Sequence, residues 1–298
     1  MCGIAGIIHK HSATADIGTQ MAAMLQSMKH RGPDSTGYAL FGPPSDQIVI
    51  RFKLADANEA RDFGFHQRIE RDRAEIEQVK GTRRTMTVIF GFDGDLKLLA
   101  DAVERVRHTE VLSLGRSLEI VKDLGDAETV SDQYRLAGFD GTHAIGHVRM
   151  ATESDVDISG AHPYWAYPYS DVAVVHNGQL TNYFMWRRRL ERAGRRFMSE
   201  CDSEIIAVYL AQEMTNGASL EEAMDKSLDE LDGVFTYIAV TKDELGVAKD
   251  ELAAKPLVLY ESDDLVALAS EEIAIRAIVD HEIDTYDPYE REVLVWKR

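Results

Sequence analysis

The chain begins Met1-Cys2-Gly3-Ile4-Ala5-Gly6, and this stretch decides how the rest of the sequence is interpreted. Removal of Met1, which a small second residue permits, leaves Cys2 with both a thiol and a free α-amine. Model α-amines titrate near ~8 and thiols near ~8.5, so this amine can accept the thiol proton near neutral pH. Such a cysteine can act as a nucleophile without a separate histidine base. The run Ile4–Ile8 is apolar and β-branched, which predicts a buried strand directly after it.

Composition limits the class of protein. The 298 residues suffice for one large domain or two smaller ones, and a hydrophobic content of 45% is ordinary for a globular protein. The formal net charge of -18 argues against nucleic-acid binding, which requires basic surfaces. The cysteines are Cys2 and Cys201, so no disulfide framework is expected. Neither a long apolar run nor a signal sequence is present, and we expect a cytoplasmic protein.

Apolar patterns indicate that strands and helices are segregated along much of the chain. Helices are predicted at about 21–28, 180–197 and 203–215, with another starting at the capping box of Ser219 and Glu222. Strands are predicted at 172–175 and, closely spaced, between 234 and 269. This segregation favours an α+β fold over a doubly wound parallel sheet.

Residues 47–140 have a pattern of their own. Strands are predicted at 48–50 and 86–90, a charged helix at 57–79 and a further helix at 96–106. The block carries none of the candidate site residues. We therefore predict a single domain over residues 1–298 with a small α/β insert at about 47–140.

An arginine-rich run follows the strand at 172–175. Its members are Arg187, Arg188, Arg189, Arg192, Arg195 and Arg196. They fall at helical spacing between apolar residues, which favours a solvated helix face. The alternative is a docking surface for an acidic partner.

Further along the chain, five segments occur in order after Cys2. They are Arg31-Gly32-Pro33-Asp34-Ser35, Gly146-His147-Val148-Arg149-Met150-Ala151-Thr152, Ala161-His162-Pro163-Tyr164, His176-Asn177-Gly178 and Cys201-Asp202-Ser203-Glu204. Together they resemble the class II glutamine amidotransferase domain, an N-terminal-nucleophile hydrolase. The resemblance spans most of the chain and implies a four-layer αββα sandwich. The run 115–120 and the long insert are similar to standalone amidotransferase subunits of glutamate-synthase-like and N-methylglutamate-synthase complexes.

The resemblance implies roles for five of these residues in glutamine hydrolysis. Cys2 would attack the side-chain amide, and the Asn177 amide and the Gly178 N–H would bind the oxyanion. Arg149 would bind the α-carboxylate, which a planar guanidinium holds with two hydrogen bonds. Asp202 would bind the α-ammonium, although its place at a predicted helix start also suits an N-cap. A plain turn is the alternative interpretation of Asn177 and Gly178.

The other candidates are expected to shape the glutamine pocket. Arg31 and Asp34 would order its wall, and Thr152 would help to form it. For His162 and His176 we expect positioning roles rather than proton transfer, because the α-amine of Cys2 already supplies a base.

The resemblance also implies a partner. Ammonia would pass to a separate synthase subunit of a glutamate-synthase-like complex, in which FMN and iron–sulfur clusters would belong to partner subunits. Neither zinc-ligand spacing nor a phosphate-binding loop occurs, so no cofactor or metal is expected in this chain. We expect the insert at 47–140 to dock the partner; the alternative is that it shields the glutamine pocket.

Two other functions remain open at this point. The chain could be a stand-alone N-terminal-nucleophile amidase, against which Arg149 and Asp202 argue because they would select a free amino acid. It could also be a catalytically silent glutamine-sensing subunit. The joint presence of Cys2, Asn177 and Gly178 argues against that.

Overall fold

A computed structural model of the protein describes residues 2–43, 45–54, 75–82, 85–105, 109–150 and 158–298. Its strands are β1 (Gly3–His9), β2 (Ala15–Asp16), β3 (Ser35–Phe41), β4 (Ile48–Leu54), β5 (Glu75–Thr82), β6 (Thr85–Gly91), β7 (Thr109–Gly115), β8 (Leu118–Leu124), β9 (Asp140–Gly141), β10 (His143–Arg149), β11 (Tyr164–Trp165), β12 (Ala173–Leu180), β13 (Gly233–Val240), β14 (Glu244–Lys249), β15 (Val258–Glu261), β16 (Leu265–Ala269) and β17 (Val293–Lys297). Its α-helices are α1 (Ile17–Ser27), α2 (Leu96–Glu104), α3 (Ala127–Tyr134), α4 (Tyr183–Arg192), α5 (Ser203–Thr215), α6 (Leu220–Glu230) and α7 (Glu272–Arg276).

Two antiparallel sheets form the centre of the molecule. The first has six strands in the order β15-β16-β1-β10-β3-β8, and the second has five in the order β11-β12-β13-β14-β17. One apolar cluster fills the space between the sheets. A second joins the six-stranded sheet to α1, α3 and α7, and a third joins the five-stranded sheet to α4, α5 and α6. The predicted α+β fold, a four-layer αββα sandwich, is therefore confirmed.

Strand β1 lies inside the six-stranded sheet and is buried on both faces. Ile4 and Ile8 point into the cluster between the sheets, whereas Ala5 and Ile7 face the helices. A strand covered on both sides reads as a continuous apolar run rather than an alternating one. The predicted strand at Ile4–Ile8 is thus confirmed. Cys2, which directly precedes β1, therefore lies at one end of the sheet.

The insert is smaller than predicted. A separate four-stranded sheet in the order β5-β6-β4-β7 lies between Ile48 and Gly115. The remainder of the predicted block at 47–140 belongs to the main sandwich, because β8 pairs with β3 and α3 packs against the same sheet. The apolar pattern of a strand does not reveal which sheet it joins, so the far boundary was placed too late.

The charged helix predicted at 57–79 is wrong at its end, where β5 is a strand paired with β6. Residues 55–74 lie outside the described residues. Apolar residues at 76 and 79 have the spacing of a helix. A strand with a register shift is also compatible with this spacing, and pairing with β6 selects the strand over the helix. The helices near 21–28, 96–106, 180–197 and 203–215 and the capping box at Ser219 are confirmed.

The arginine-rich run covers α4 and the loop after it. Arg188, Arg189 and Arg192 are exposed, as expected for a solvated helix face. Arg187 instead pairs with Glu191 and Glu200. Arg196 stacks on Tyr167 and pairs with Asp101 and Glu104 of α2, which ties the insert to the sandwich.

Candidate active site

Cys2 lies directly before β1, at the end of the six-stranded sheet. Its thiol is partly buried, with Sγ 3.8 Å from the carbonyl oxygen of Met150. Its backbone carbonyl accepts two hydrogen bonds, from Arg31 Nε at 3.1 Å and from Asn177 Nδ2 at 3.2 Å. Because Asn177 belongs to the five-stranded sheet, side chains from both halves of the sandwich hold Cys2.

Arg31 is itself held in place. The side chain is 8% exposed, and Nη1 donates to Oε1 of Glu271 at 2.6 Å. Burial alone would raise the pKa of Glu271, but hydrogen bonds from Arg31 and His30 outweigh it and lower that pKa. The carboxylate therefore stays ionised at neutral pH and fixes the guanidinium beside Cys2. Glu271 lies 240 residues from Arg31, and no local sequence pattern marks it as a site residue.

Asn177 and Gly178 lie within β12 rather than in a turn, which excludes the alternative interpretation. Asn177 is 5% exposed and faces the same side of its sheet as Val175, toward the six-stranded sheet. Gly178 has φ of +147°, and a Cβ there would stand 2.2 Å from the carbonyl oxygen of Val234. Only glycine fits this conformation and this close approach of backbones.

Arg149 ends β10, which pairs with β1 along its length. Its guanidinium lies against Gly160, where a Cβ would stand 2.8 Å from Nη2. The segment that begins at Arg31 runs alongside it: the Asp34 N–H donates to the Arg149 carbonyl, and a Cβ on Gly32 would meet the Arg149 backbone. Asp34 thus lines this wall through its backbone.

Asp202 occupies the N-cap position of α5, but its side chain makes no capping hydrogen bond. Instead, Oδ2 accepts a hydrogen bond from the Leu180 N–H at 2.7 Å. Leu180 ends β12, two residues after Gly178. The carboxylate is therefore hydrogen-bonded to the strand that carries Asn177. Asp202 stands at the N-cap position, but its side chain does not cap the helix.

Three buried histidines stand behind these residues. The rings of His147 and His162 stack with centroids 4.0 Å apart, and the His162 ring lies 6.5 Å from that of His176. Burial lowers the pKa of His147 to about 3, and it also lowers the pKa values of His162 and His176. All three rings are neutral at pH 7. Among the described residues, no hydrogen bond joins these rings to Cys2.

The structure brings together most of the predicted site residues, namely Cys2, Arg31, Arg149, Asn177, Gly178 and Asp202, with His162 behind them. Thr152 lies outside the described residues. Gly160 was not predicted as a site residue, because its role is to leave space for the side chain of Arg149 and no local pattern shows this. Across the described ranges, His, Cys, Asp and Glu side chains form no group of three or more suited to a metal ion. No helix in the same ranges is long and apolar enough to span a membrane.

Comparison with known proteins gives relatives over nearly the whole chain. Residues 147–277 match a family model described as a glutamine amidotransferase domain. A putative glutamine amidotransferase of Methanothermobacter thermautotrophicus is 35% identical over 98% of this chain and 99% of its own length. The glutamine amidotransferase-like protein GlxB of Rhizobium meliloti is 35% identical over 99% of this chain and 98% of its own length.

A solved structure shows the same fold. The glutamine phosphoribosylpyrophosphate amidotransferase of B. subtilis, in complex with ADP and GMP, superposes with a TM-score of 0.63 at 20% identity. The match covers 99% of this chain and 47% of that one, so this chain spans about half the length of that enzyme. The fold, the relatives and the family model agree, and the chain belongs to the class II glutamine amidotransferases.

Proposed function

We propose that Cys2 hydrolyses the side-chain amide of L-glutamine through a thioester. The Cys2 thiolate attacks the δ-carbonyl, and the tetrahedral intermediate expels ammonia to leave a γ-glutamyl thioester. Water then attacks the thioester, releasing L-glutamate and regenerating the thiol. The observation that supports this most directly is the 3.2 Å hydrogen bond from Asn177 Nδ2 to the Cys2 carbonyl.

That hydrogen bond leaves a donor for the reaction. A side-chain amide nitrogen carries two hydrogens, and the Cys2 carbonyl takes one of them. We assign the second to the oxyanion, together with the backbone N–H of Gly178. An amide donor held in place before the substrate arrives needs no rearrangement as charge develops.

Substrate recognition is assigned to a pair of opposite charges. Arg149 binds the α-carboxylate and Asp202 the α-ammonium, so the pocket selects a free amino acid over a peptide amide. Arg31 orients Cys2, and His162 supports the wall behind Arg149. Thr152, which lies outside the described residues, is assigned to the pocket from its place in the motif alone. A neutral imidazole in that position adds no second positive charge that would compete with Arg149 for the carboxylate.

The Cys2 α-amine, exposed by removal of Met1, serves as the base and returns the proton to the departing ammonia. An N-terminal extension that cannot be removed should therefore abolish turnover although Cys2 is present. Intact mass measured on the same sample reports the fraction of processed chain. Full activity of a chain that retains Met1 would show that another group is the base.

Substitution of each cysteine tests the nucleophile. Cys2→Ala should abolish glutaminase activity, whereas Cys201→Ala should retain it. A diazoketone analogue of glutamine should label Cys2 and spare Cys201, because burial raises the pKa of the Cys201 thiol and leaves little thiolate. Equal labelling of both thiols, or turnover by Cys2→Ala, would contradict the proposal.

We also propose that the ammonia passes to a separate glutamate-synthase-like subunit, which carries FMN and iron–sulfur clusters and docks on the insert. The similarity of the sequence to standalone amidotransferase subunits supports this assignment. In the insert, Leu98 of α2 is 62% exposed, while Leu99 beside it is buried. Because Leu98 is exposed, it can be substituted to test docking through the insert without disturbing the core.

A single exposed substitution tests docking better than deletion of the insert. The insert contributes Ile50, Val88 and Leu114 to the cluster between the sheets, so its removal would open the core. Leu98→Glu should weaken co-purification with a flavin-containing synthase subunit while basal glutaminase activity stays unchanged. Leu252→Glu, at a residue 68% exposed outside the insert, is the matched control. Equal effects of the two variants would argue against docking through the insert.

A further inference from the structure

The hydroxyl of Ser203 joins the parts of the site that come from different elements. Ser203 is the first residue of α5 and is 1% exposed. Its Oγ lies 2.7 Å from His176 Nδ1 on β12, 3.4 Å from Asp202 Oδ1 and 3.5 Å from Cys201 Sγ. One buried hydroxyl thus contacts the residue that precedes Asn177 and the carboxylate assigned to the substrate ammonium.

Chemistry sets the direction of the hydrogen bond to Asp202, whereas the direction of the one to His176 depends on the tautomer of that ring. A carboxylate only accepts, so in the pair with Asp202 the Ser203 hydroxyl is the donor, and we assign its single hydrogen there. Its two remaining lone pairs then accept from the Cys201 thiol and from the Nδ1–H of His176. In this arrangement His176 is the neutral Nδ1–H tautomer. Burial, which lowers the pKa of His176, favours the same neutral form.

Both oxygens of Asp202 are consequently oriented from within the protein. Ser203 Oγ donates to Oδ1, and the Leu180 N–H donates to Oδ2 at 2.7 Å. The carboxylate has about four lone-pair positions, so positions remain on the open side for a cation. Two donors from different elements fix the plane of the carboxylate and therefore the direction in which it can receive an ammonium group.

We propose that Ser203 is a positioning residue that sets the selectivity of the pocket for a substrate with an α-ammonium group. This inference rests on the proposed function, in which Asp202 binds that ammonium. Without the Ser203 hydroxyl, Asp202 keeps the Leu180 N–H on Oδ2 and the weaker Cys201 thiol, 3.7 Å from Oδ1, and can rotate away from the substrate. The loss should appear only with ligands that carry the ammonium.

The test compares two ligands that differ in that group alone. Glutaramate is glutamine without its α-amino group, and it keeps the carboxylate and the amide. Ser203→Ala should raise KM for L-glutamine about tenfold, equivalent to about 1.4 kcal/mol, with kcat within about threefold. KM for glutaramate should change less than about twofold, since it makes no ion pair with Asp202.

Ser227→Ala is the matched control. Ser227 is also fully buried, and its Oγ lies 2.6 Å from both the Met224 carbonyl and the Tyr237 hydroxyl, neither of which is assigned a role in substrate binding. This variant should lower Tm about as much as Ser203→Ala and leave the ratio of the two KM values unchanged. Ser203→Thr, which keeps the hydroxyl, should retain the wild-type ratio.

Binding measured without turnover separates this inference from the proposed function. In a Cys2→Ala background, calorimetry should show that Ser203→Ala weakens L-glutamine binding about tenfold and spares glutaramate. If the unmodified chain does not hydrolyse glutamine, the proposed function fails, and this binding ratio still decides the role of Ser203. Equal losses for both ligands would overturn the inference. So would a Ser203→Ala chain that fails to fold, because a merely structural role predicts either result.

Discussion

The clearest prediction concerns Asn177→Ala. The substitution removes an amide that is 5% exposed and donates to the Cys2 carbonyl at 3.2 Å. Arg31 Nε donates to the same carbonyl at 3.1 Å, so Cys2 keeps one of its two anchors. The folded state loses one hydrogen bond to a neutral acceptor, which is worth about 1 kcal/mol.

The expected effect on catalysis is larger. If the second hydrogen of Asn177 Nδ2 stabilises the oxyanion, its removal should lower kcat by about 10²–10³, or about 3–4 kcal/mol, with little change in KM. Steady-state release of glutamate, measured with Tm on the same sample, separates the two contributions. A kcat loss of this size beside a small drop in Tm would be chemical rather than structural.

Arg31→Lys is the control for positioning. Lysine keeps a positive charge near Glu271 but cannot reproduce the Nε hydrogen bond to Cys2. We expect less than about a tenfold loss of kcat, because the oxyanion donor remains. If Arg31→Lys is as damaging as Asn177→Ala, both residues merely place Cys2. A rise in KM at constant kcat for Asn177→Ala would likewise refute the reasoning.

Three further predictions test other parts of the molecule. Arg149→Lys should raise KM for glutamine at least about tenfold with kcat nearly unchanged, since an ammonium cannot make the paired hydrogen bonds of a guanidinium; a loss confined to kcat would contradict this. Gly160→Ala should also raise KM but leave Tm within experimental error, because the new Cβ meets only the flexible end of Arg149; a large drop in Tm would show that the contact is with rigid structure. Burial lowers the pKa of His143 to about 4, so this group favours the folded state fully above its unfolded pKa near ~6.5 and progressively less as pH falls toward 4. His143→Gln removes this titration, so the free energy of unfolding should fall less steeply between pH 6.5 and 4, by up to about 1.4 kcal/mol per pH unit, the effect of one proton. Tm measured over the same range should flatten with it, and an unchanged slope would exclude this origin.

Much of the fold could be predicted because local pattern and burial agree there. Ile4–Ile8 is apolar on both faces and lies inside the central sheet, covered on both sides. The capping box at Ser219 marks the start of α6 because both of its hydrogen bonds are local. The segregation of strands and helices along the sequence was enough to predict the α+β class.

Errors arose where distant pairing decides the structure. Residues 75–79 fit a helix or a bulged strand equally well, and only the neighbouring β6 selects the strand. The insert boundary was misplaced because β8 looks like any other strand until it pairs with β3. Neither partner is visible in a local window of sequence.

In the candidate site, too, local sequence predicts some features and distant contacts decide others. The motifs identified which residues meet, but the contacts that orient them are long-range. Glu271 fixes Arg31 across 240 residues, and Leu180 rather than the helix of Asp202 itself holds that carboxylate. Gly160 is recognisable only once Arg149 is seen lying against it.

These contacts show how the residue proposed as nucleophile is held at the start of a strand of the sandwich. The Cys2 carbonyl is bound from one side by Arg31, which Glu271 anchors after the end of β16, and from the other by Asn177 of the opposite sheet. The distance between these two donors is set by the apolar cluster that spaces the sheets, to which Ile4 and Val175 both belong. Close-packed interiors resist small displacements, so this spacing holds the nucleophile and the amide donor in register without substrate. If Cys2 and Asn177 act as proposed, cavities made beside Ile4 should affect kcat before they unfold the chain.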